Sequence, residues 1–196
     1  MGGPYVTRGD FVTTLSQRER AACYGAPMSR SVLEDAFGHH AWATLRLIDS
    51  CLELRPEQLA TAVPGTYGSI IETMRHLVGA DSRYLFVLTG ELTPVIDEDR
   101  LDLAGLRAAM EANGAAWLGL VAQDLDPEAV LGRRRDDGSE TYAPVGIRLA
   151  QALHHGTDHR SQICTALTSL GYEPPDIDAW AFAQLDGRLI EVPPTA

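Results

Sequence analysis

VGIRLAQALHHGTDHRSQICTALTSL, residues 145–170, is a helical pattern that keeps two histidines, His155 and His159, on the side of its apolar residues. Ala152, Ile163, Ala166 and Leu170 share that face with Gln162, and Gly171 supplies a stop. Four residues along a helix place two side chains about 40° apart around the axis and about 6 Å apart along it. Both rings can therefore reach one ion at about 2.1 Å. A single core histidine is commonly just hydrogen-bonded, but two on one dry face each need partners for a donor and an acceptor. The pair is not an HExxH motif. Gly156-Thr157-Asp158 lies between the histidines, so the built-in glutamate base of that motif is missing.

Three further helices precede this one. Ser31, with Glu34 three positions on, opens a helix over about 32–54 as a capping box, and Ser29 offers a second cap. Leu33, Phe37, Ala41, Thr44, Ile48, Cys51 and Leu52 recur on one face, and Arg55-Pro56 ends the run. Val63-Pro64-Gly65-Thr66-Tyr67-Gly68 is a loop. Ser69 and Glu72 cap a second helix whose stripe is Ile70, Met74, Leu77, Asp81, Leu85 and Leu88, stopped by Gly90. A third helix fits 102–123, from Asp102 to the residues before Asp124 and Asp126-Pro127. Asp137-Gly138, flanked by 130–135 and 139–142, marks a two-stranded ribbon, with a plain loop as the other reading.

Four helices of this length, each apolar on one face, pack most economically as a four-helix bundle, an all-α fold with a short β-hairpin between helices 3 and 4. The connections from the second helix to the third and from the third to the fourth are longer than an idealised up-down bundle needs. The division expected is an arm over 1–30 with a turn of helix over 15–21, the bundle over 31–176, and a tail over 177–196 packed on or beside it.

Charge narrows the function. Of 196 residues, 27 are Asp or Glu and 16 Lys or Arg, a net −11 that opposes nucleic-acid backbones and anionic membranes. The one basic run, Arg133-Arg134-Arg135, is followed by Asp136-Asp137 and reads as a solvated hairpin edge, with an anion-binding patch as the lesser alternative. No window is apolar enough to span a membrane, and no leader pattern opens the sequence. Cys23, Cys51 and Cys164 form no CxxC, a sparse odd set that suits a reducing compartment. A cytoplasmic protein is expected.

Spacing alone does not choose a third ligand. His76 lies some way off the stripe of its helix, beside Thr73, Ala80 and Arg83, whereas His40 sits on the stripe of the first helix. His154 points about 100° away from His155. Other polar residues stand out for their place. Asp81 is a charge on an apolar face, Arg160 directly follows His159 and is placed to bind an anionic substrate or to pair with Asp81 or another carboxylate, and Gln162 is placed to steady a ligand or a core backbone group. For both charged residues a plain salt bridge competes with a role at the site. Trp42 and Tyr84 fit either a pocket wall or the core.

Trp42-Ala43-Thr44 followed by Leu54-Arg55-Pro56-Glu57-Gln58-Leu59, then Thr73-Met74-Arg75-His76-Leu77 and Asp81-Ser82-Arg83-Tyr84-Leu85, then His155-Gly156-Thr157-Asp158-His159-Arg160-Ser161-Gln162 occur in order. With these blocks the chain resembles the DinB family of metal-binding four-helix bundles, which includes thiol-dependent S-transferases. The resemblance covers about residues 31–175. It implies a metal held by one histidine of the second helix and two of the fourth, here His76, His155 and His159, and a homodimer. It also implies one divalent ion per chain, with zinc, nickel and iron the candidates for three nitrogens plus water. The activity implied is metal activation of a low-molecular-weight thiol toward a small electrophilic substrate, by transfer or isomerisation, with Asp81 and Arg160 as supporting catalytic residues. Hydrolysis by a metal-bound water and a non-catalytic, metal-stabilised bundle are the alternatives. Two positions depart from the family's habit. Gly156 stands where an acidic residue is frequent, and Asp158 where a further histidine is.

Overall fold

The computed structural model describes residues 30–90, 96, 100–135, 137–185 and 187–189. The arm and its expected helical turn over 15–21 lie outside the described residues. Arg30–Phe182 form one compact unit. The described residues after Phe182 fall outside that unit, and among them the Arg188 and Leu189 amides donate to the Ala183 carbonyl.

Four long helices make the main unit: α1 (Val32–Cys51), α3 (Ile70–Thr89), α4 (Leu103–Val121) and α5 (Val145–Ser169). Short helix α2 (Pro56–Leu59), the hairpin strands β1 (Val130–Arg134) and β2 (Glu140–Pro144) and the first four residues of α6 (Ala179–Leu185) complete it. The caps follow the sequence signals. Ser31 Oγ accepts from the Glu34 amide while Glu34 accepts from the Ser31 amide, and Ser69 and Glu72 repeat the arrangement. Asp102 Oδ1 accepts from the Gly105 amide, and Gly90 takes a left-handed φ of 70° beyond α3. The first helix stops at Cys51, three residues before the expected end. Pro56 then starts α2, where its fixed φ suits the first helical position. In the hairpin, Val130 pairs with Pro144 and Arg134 with Glu140, and Gly138 (φ 81°) turns the chain. Arg133, Arg134 and Arg135 are exposed along its edge.

Packing is closest between α1 and α4 and between α3 and α5, with α3 on α4 and α1 on α5 closing the ring. The consecutive long helices α1 and α3 thus stand on one diagonal, and α4 and α5 on the other. The core has two apolar halves. One contains Leu47, Ile48, Met74, Leu77, Leu106, Met110 and Ile163. The other contains Phe37, Leu85, Trp117, Val145 and Leu149, with the Phe37 and Trp117 rings stacked at 4.4 Å. Helices α3 and α4 both run from the first half to the second, and α1 and α5 run the opposite way. The chain must therefore return the length of the bundle between α3 and α4, which accounts for the long connection there. Between the halves lies a buried polar belt of His40, Thr44, Asp81, Ser82, Asn113, His159 and Arg160. No helix among the described residues is long and apolar enough to cross a membrane.

The chain after α5 returns to α1. His39 bonds the Ile177 carbonyl at 2.8 Å, and the Phe182 ring packs on His39 and Trp42. Trp42 therefore takes a packing role, with Arg46 over its face at 5.5 Å.

One helix supplies a test with its own control. A Cβ on Gly114 would lie 2.9 Å from the Cβ of Ala41, where α4 crosses α1, whereas nothing lies within 4 Å of a Cβ on exposed Gly119. Alanine gains about 0.8–1 kcal/mol over glycine inside a helix. Overpacking at a rigid contact costs about 1–3 kcal/mol. Urea unfolding is expected to show Gly119→Ala stabilised by up to about 1 kcal/mol and Gly114→Ala destabilised.

Candidate metal centre

His155 and His159 stand one turn apart on α5, and His76 reaches them from α3. One ring nitrogen of each lies within 4.8 Å of the others. Nε2 of His155 and Nε2 of His76 are 3.1 Å apart. His159 donates from Nδ1 to Gln162 Oε1 at 3.0 Å, which leaves its Nε2 lone pair available to an ion. Gln162 Oε1 also accepts the Tyr67 amide at 3.0 Å, so one side chain holds both a candidate ligand and the loop beside it. The Tyr67 ring stacks on His76 at 4.1 Å and meets His159 edge-on at 5.4 Å. Tyr84 closes the other side, edge-on to His155 at 5.6 Å, and its hydroxyl accepts from Gln151.

Electrostatics keep the rings ready to bind. Burial, then the neighbouring His159 and His76, pushes His155 down to about 4 from an ordinary 6.5, with Asp81 opposing. His76 is lowered by burial, His159 and Arg83. At neutral pH both are neutral, as a metal ligand must be. Three imidazoles converging from two rigid helices, with one already oriented by Gln162, fit a divalent ion. Among the described residues no carboxylate or thiol belongs to the group.

The other sequence candidates fall elsewhere. His40 is fully buried in the polar belt, with Nε2 2.7 Å from Asp81 Oδ2 and Nδ1 3.0 Å from Arg160 Nη1. It joins the belt and not the cluster. Arg160 is 4% exposed and also donates to Thr44 and Thr157, so it turns no face to an anion from solution, a correction to one of its expected uses. It reaches Asp81 through His40. His154 is exposed and away from the group. The thiol of buried Cys51 is pushed up to about 11 by burial, and that of Cys164 is raised for the same reason. The departure at Gly156 has a physical cause: a Cβ there would lie 2.3 Å from His40 Cε1, so the His40 ring fills the place of a side chain.

Sequence reasoning missed Tyr67, a loop aromatic with no periodicity to mark it. It offered a pairing of Arg160 with Asp81 but missed that His40 stands between them and joins the two. Three polar groups on apolar faces of three different helices were a usable signal, since each needs a partner on another helix.

The comparisons agree with this architecture. The profile of the DinB family matches residues 28–191, and the chain belongs to that family. The match runs past residue 175, where the sequence blocks ended, and takes in α6. Among solved structures, the chain is similar to YfiT from Bacillus subtilis, described as a probable metal-dependent hydrolase with an unusual four-helix bundle topology. The identity is 16% and the TM-score 0.52, over 76% of this chain and 95% of that one. No curated protein matches the sequence.

Two measurements follow. In calorimetric zinc titrations, His159→Ala is expected to weaken binding by more than the 10–100-fold typical of supporting residues, while His154→Ala leaves it unchanged. Equal losses would refute the ligand assignment. The second concerns pH. The unfolded chain protonates His155 near 6.5 and the fold resists down to about 4, so between these values the unfolded state holds the extra proton. Metal-free protein is expected to lose stability to urea as pH falls through that window, with a shallower slope in His155→Gln.

Proposed function

We propose that this is a metal-dependent enzyme that joins a low-molecular-weight thiol to a small electrophile, or uses the thiol to isomerise a small substrate. The observation that carries the reading is a group of three imidazoles containing neither a nucleophile nor a carboxylate base. A divalent ion held by His76, His155 and His159 keeps its full charge, and would polarise a substrate oxygen and lower the pKa of a bound water or thiol.

The chain's own residues do the remainder. Partial burial keeps His76 and His155 unprotonated, and Gln162 fixes the ring of His159. Tyr67 and Tyr84 flank the cluster with aromatic surface suited to a small organic molecule. Asp81, the acidic group that acts on His155, is engaged by His40. A site without a free base favours the nucleophile that ionises more readily, a thiol near 8.5 over bulk water near 15.7. Among the described residues no thiol is placed to serve, Cys51 being buried in the core and Cys164 outside the histidine group, so this reading takes the thiol from solution.

Hydrolysis is the second reading, supported by the fold-level likeness to YfiT, itself described as a probable metal-dependent hydrolase. Zinc, nickel and iron all suit the donor set.

Elemental analysis is expected to find about one divalent ion per chain, as one three-histidine site requires. Metal-loaded protein, incubated with a panel of small thiols and a generic electrophile, is expected to form a thioether with one of them. Mass spectrometry follows the product, which should vanish in metal-free protein and in His155→Ala. Ester or amide cleavage with no thiol present would move the assignment to a hydrolase. If no thiol produces a charge-transfer band in the cobalt-substituted site, the thiol reading falls.

A further inference from the structure

Two buried polar atoms beside the histidine group have no hydrogen-bond partner: Asp81 Oδ1 and His155 Nδ1. Arginine can only donate, so Arg160 Nη1 fixes His40 Nδ1 as the acceptor, and the ring hydrogen of His40 sits on Nε2. That hydrogen goes to Asp81 Oδ2 at 2.7 Å. Asp81 thus spends one oxygen on His40 and keeps the other as an acceptor without a donor. His155 has the opposite lack. If its Nε2, which faces His76, binds an ion, its hydrogen must sit on Nδ1, a donor without an acceptor.

We propose that Asp81 is the positioning residue of the metal centre, its Oδ1 taking the Nδ1 hydrogen of metal-bound His155 while Arg160 and His40 hold the carboxylate from behind. The inference rests on the reading that the three histidines hold a metal. Placement supports it. Gly156, the neighbour of His155, lies against the His40 ring, so the Asp81–His40 pair packs beside the turn of α5 that carries the ligand. Asp81 is also near enough to His155 for its charge to act on the ring. Both atoms are dry, and a buried polar atom left alone costs about 1–3 kcal/mol. A hydrogen bond between the two atoms, direct or through one water, would remove both costs together. Asp81 does not touch substrate in this arrangement. It sets which nitrogen of His155 is free and where that nitrogen points.

The test uses full-length zinc-loaded protein labelled with 15N. Wild type is expected to show a downfield His155 Nδ1 proton that exchanges slowly with water. In Asp81→Asn that resonance should shift and exchange faster, and zinc affinity by chelator competition should fall about 10–100-fold. Asn113→Ala is the control for simple loss of core polarity. Asn113 lies in the same belt, bonded to Ser82 and the Val78 carbonyl, and its loss should lower the melting temperature without changing zinc affinity. Should Asp81→Asn fail to fold, the wild-type resonance decides: a His155 Nδ1 that carries no hydrogen, or one that exchanges as freely as an exposed ring, overturns the proposal. Unchanged zinc affinity in folded Asp81→Asn overturns it too. A wild type that binds no zinc at all overturns the metal reading and this inference with it.

Discussion

Arg160, His40 and Asp81 form a chain of hydrogen bonds through the middle of the bundle, from α5 through α1 to α3. Burying two charges is expensive, and removing one partner of such a pair costs about 3–5 kcal/mol because the other is stranded. The fold must therefore keep three helices in register at this level. The two apolar halves of the core lie above and below it, so hydrophobic packing fills the ends while the belt fixes the middle. Helices α1 and α3, which pack little against each other directly, meet here through His40 and Asp81. Burial depresses Arg160 to about 10 while Asp81 opposes the shift, which leaves the guanidinium charged at neutral pH.

This constraint reaches the metal centre by one residue of sequence. His40 takes the space beside α5 that a side chain at position 156 would occupy, so Gly156 and His40 are one decision made at two positions. A side chain at position 156, acidic or otherwise, has no room here. A carboxylate is still supplied close to His155, but from α3 and tethered by His40. The negative charge therefore sits behind the ligand and not among the ligands. Three neutral donors leave a bound cation more electrophilic than a mixed set containing a carboxylate would.

Much of this was legible from the sequence, for reasons that differ by residue. The four long helices follow from apolar spacing and from short-range caps such as Ser31 with Glu34 and Ser69 with Glu72, which need no knowledge of the rest of the fold. The hairpin follows from Asp137-Gly138. The His155 and His159 pair is local to one helix, so its geometry is fixed by the helical repeat. His76 was different. Its position off the apolar stripe pointed toward the surface, and resemblance to a family, not periodicity, put it with the other two. The stripe rule failed because the site is half-buried at the flank of the bundle. His40, on the stripe, went to the dry centre instead. The way the helices surround one another, with α1 and α3 across a diagonal, depends on long-range packing that no local pattern encodes. The same holds for the ties from Arg160 to His40 and from Tyr67 to Gln162.

A centre that carries neither a nucleophile nor a base places selectivity in what surrounds it. Tyr67 comes from the loop before α3 and is well exposed, while Tyr84 comes from α3 itself and is partly buried. One wall is thus part of a helix, and the other is a loop residue whose ring stacks on His76 and whose amide Gln162 holds. Arg83, half-buried and near enough to Arg133 of the hairpin for each to feel the other's charge, adds positive potential on the side of His76 and His155. The histidines and their belt are held by the core, whereas Tyr67, Tyr84, Arg83 and Arg133 around them come from a loop, a helix flank and a ribbon. The groups that fix the histidines and much of what surrounds them thus come from different parts of the chain, so a loop or ribbon position can change with less effect on the packed core than a belt position can.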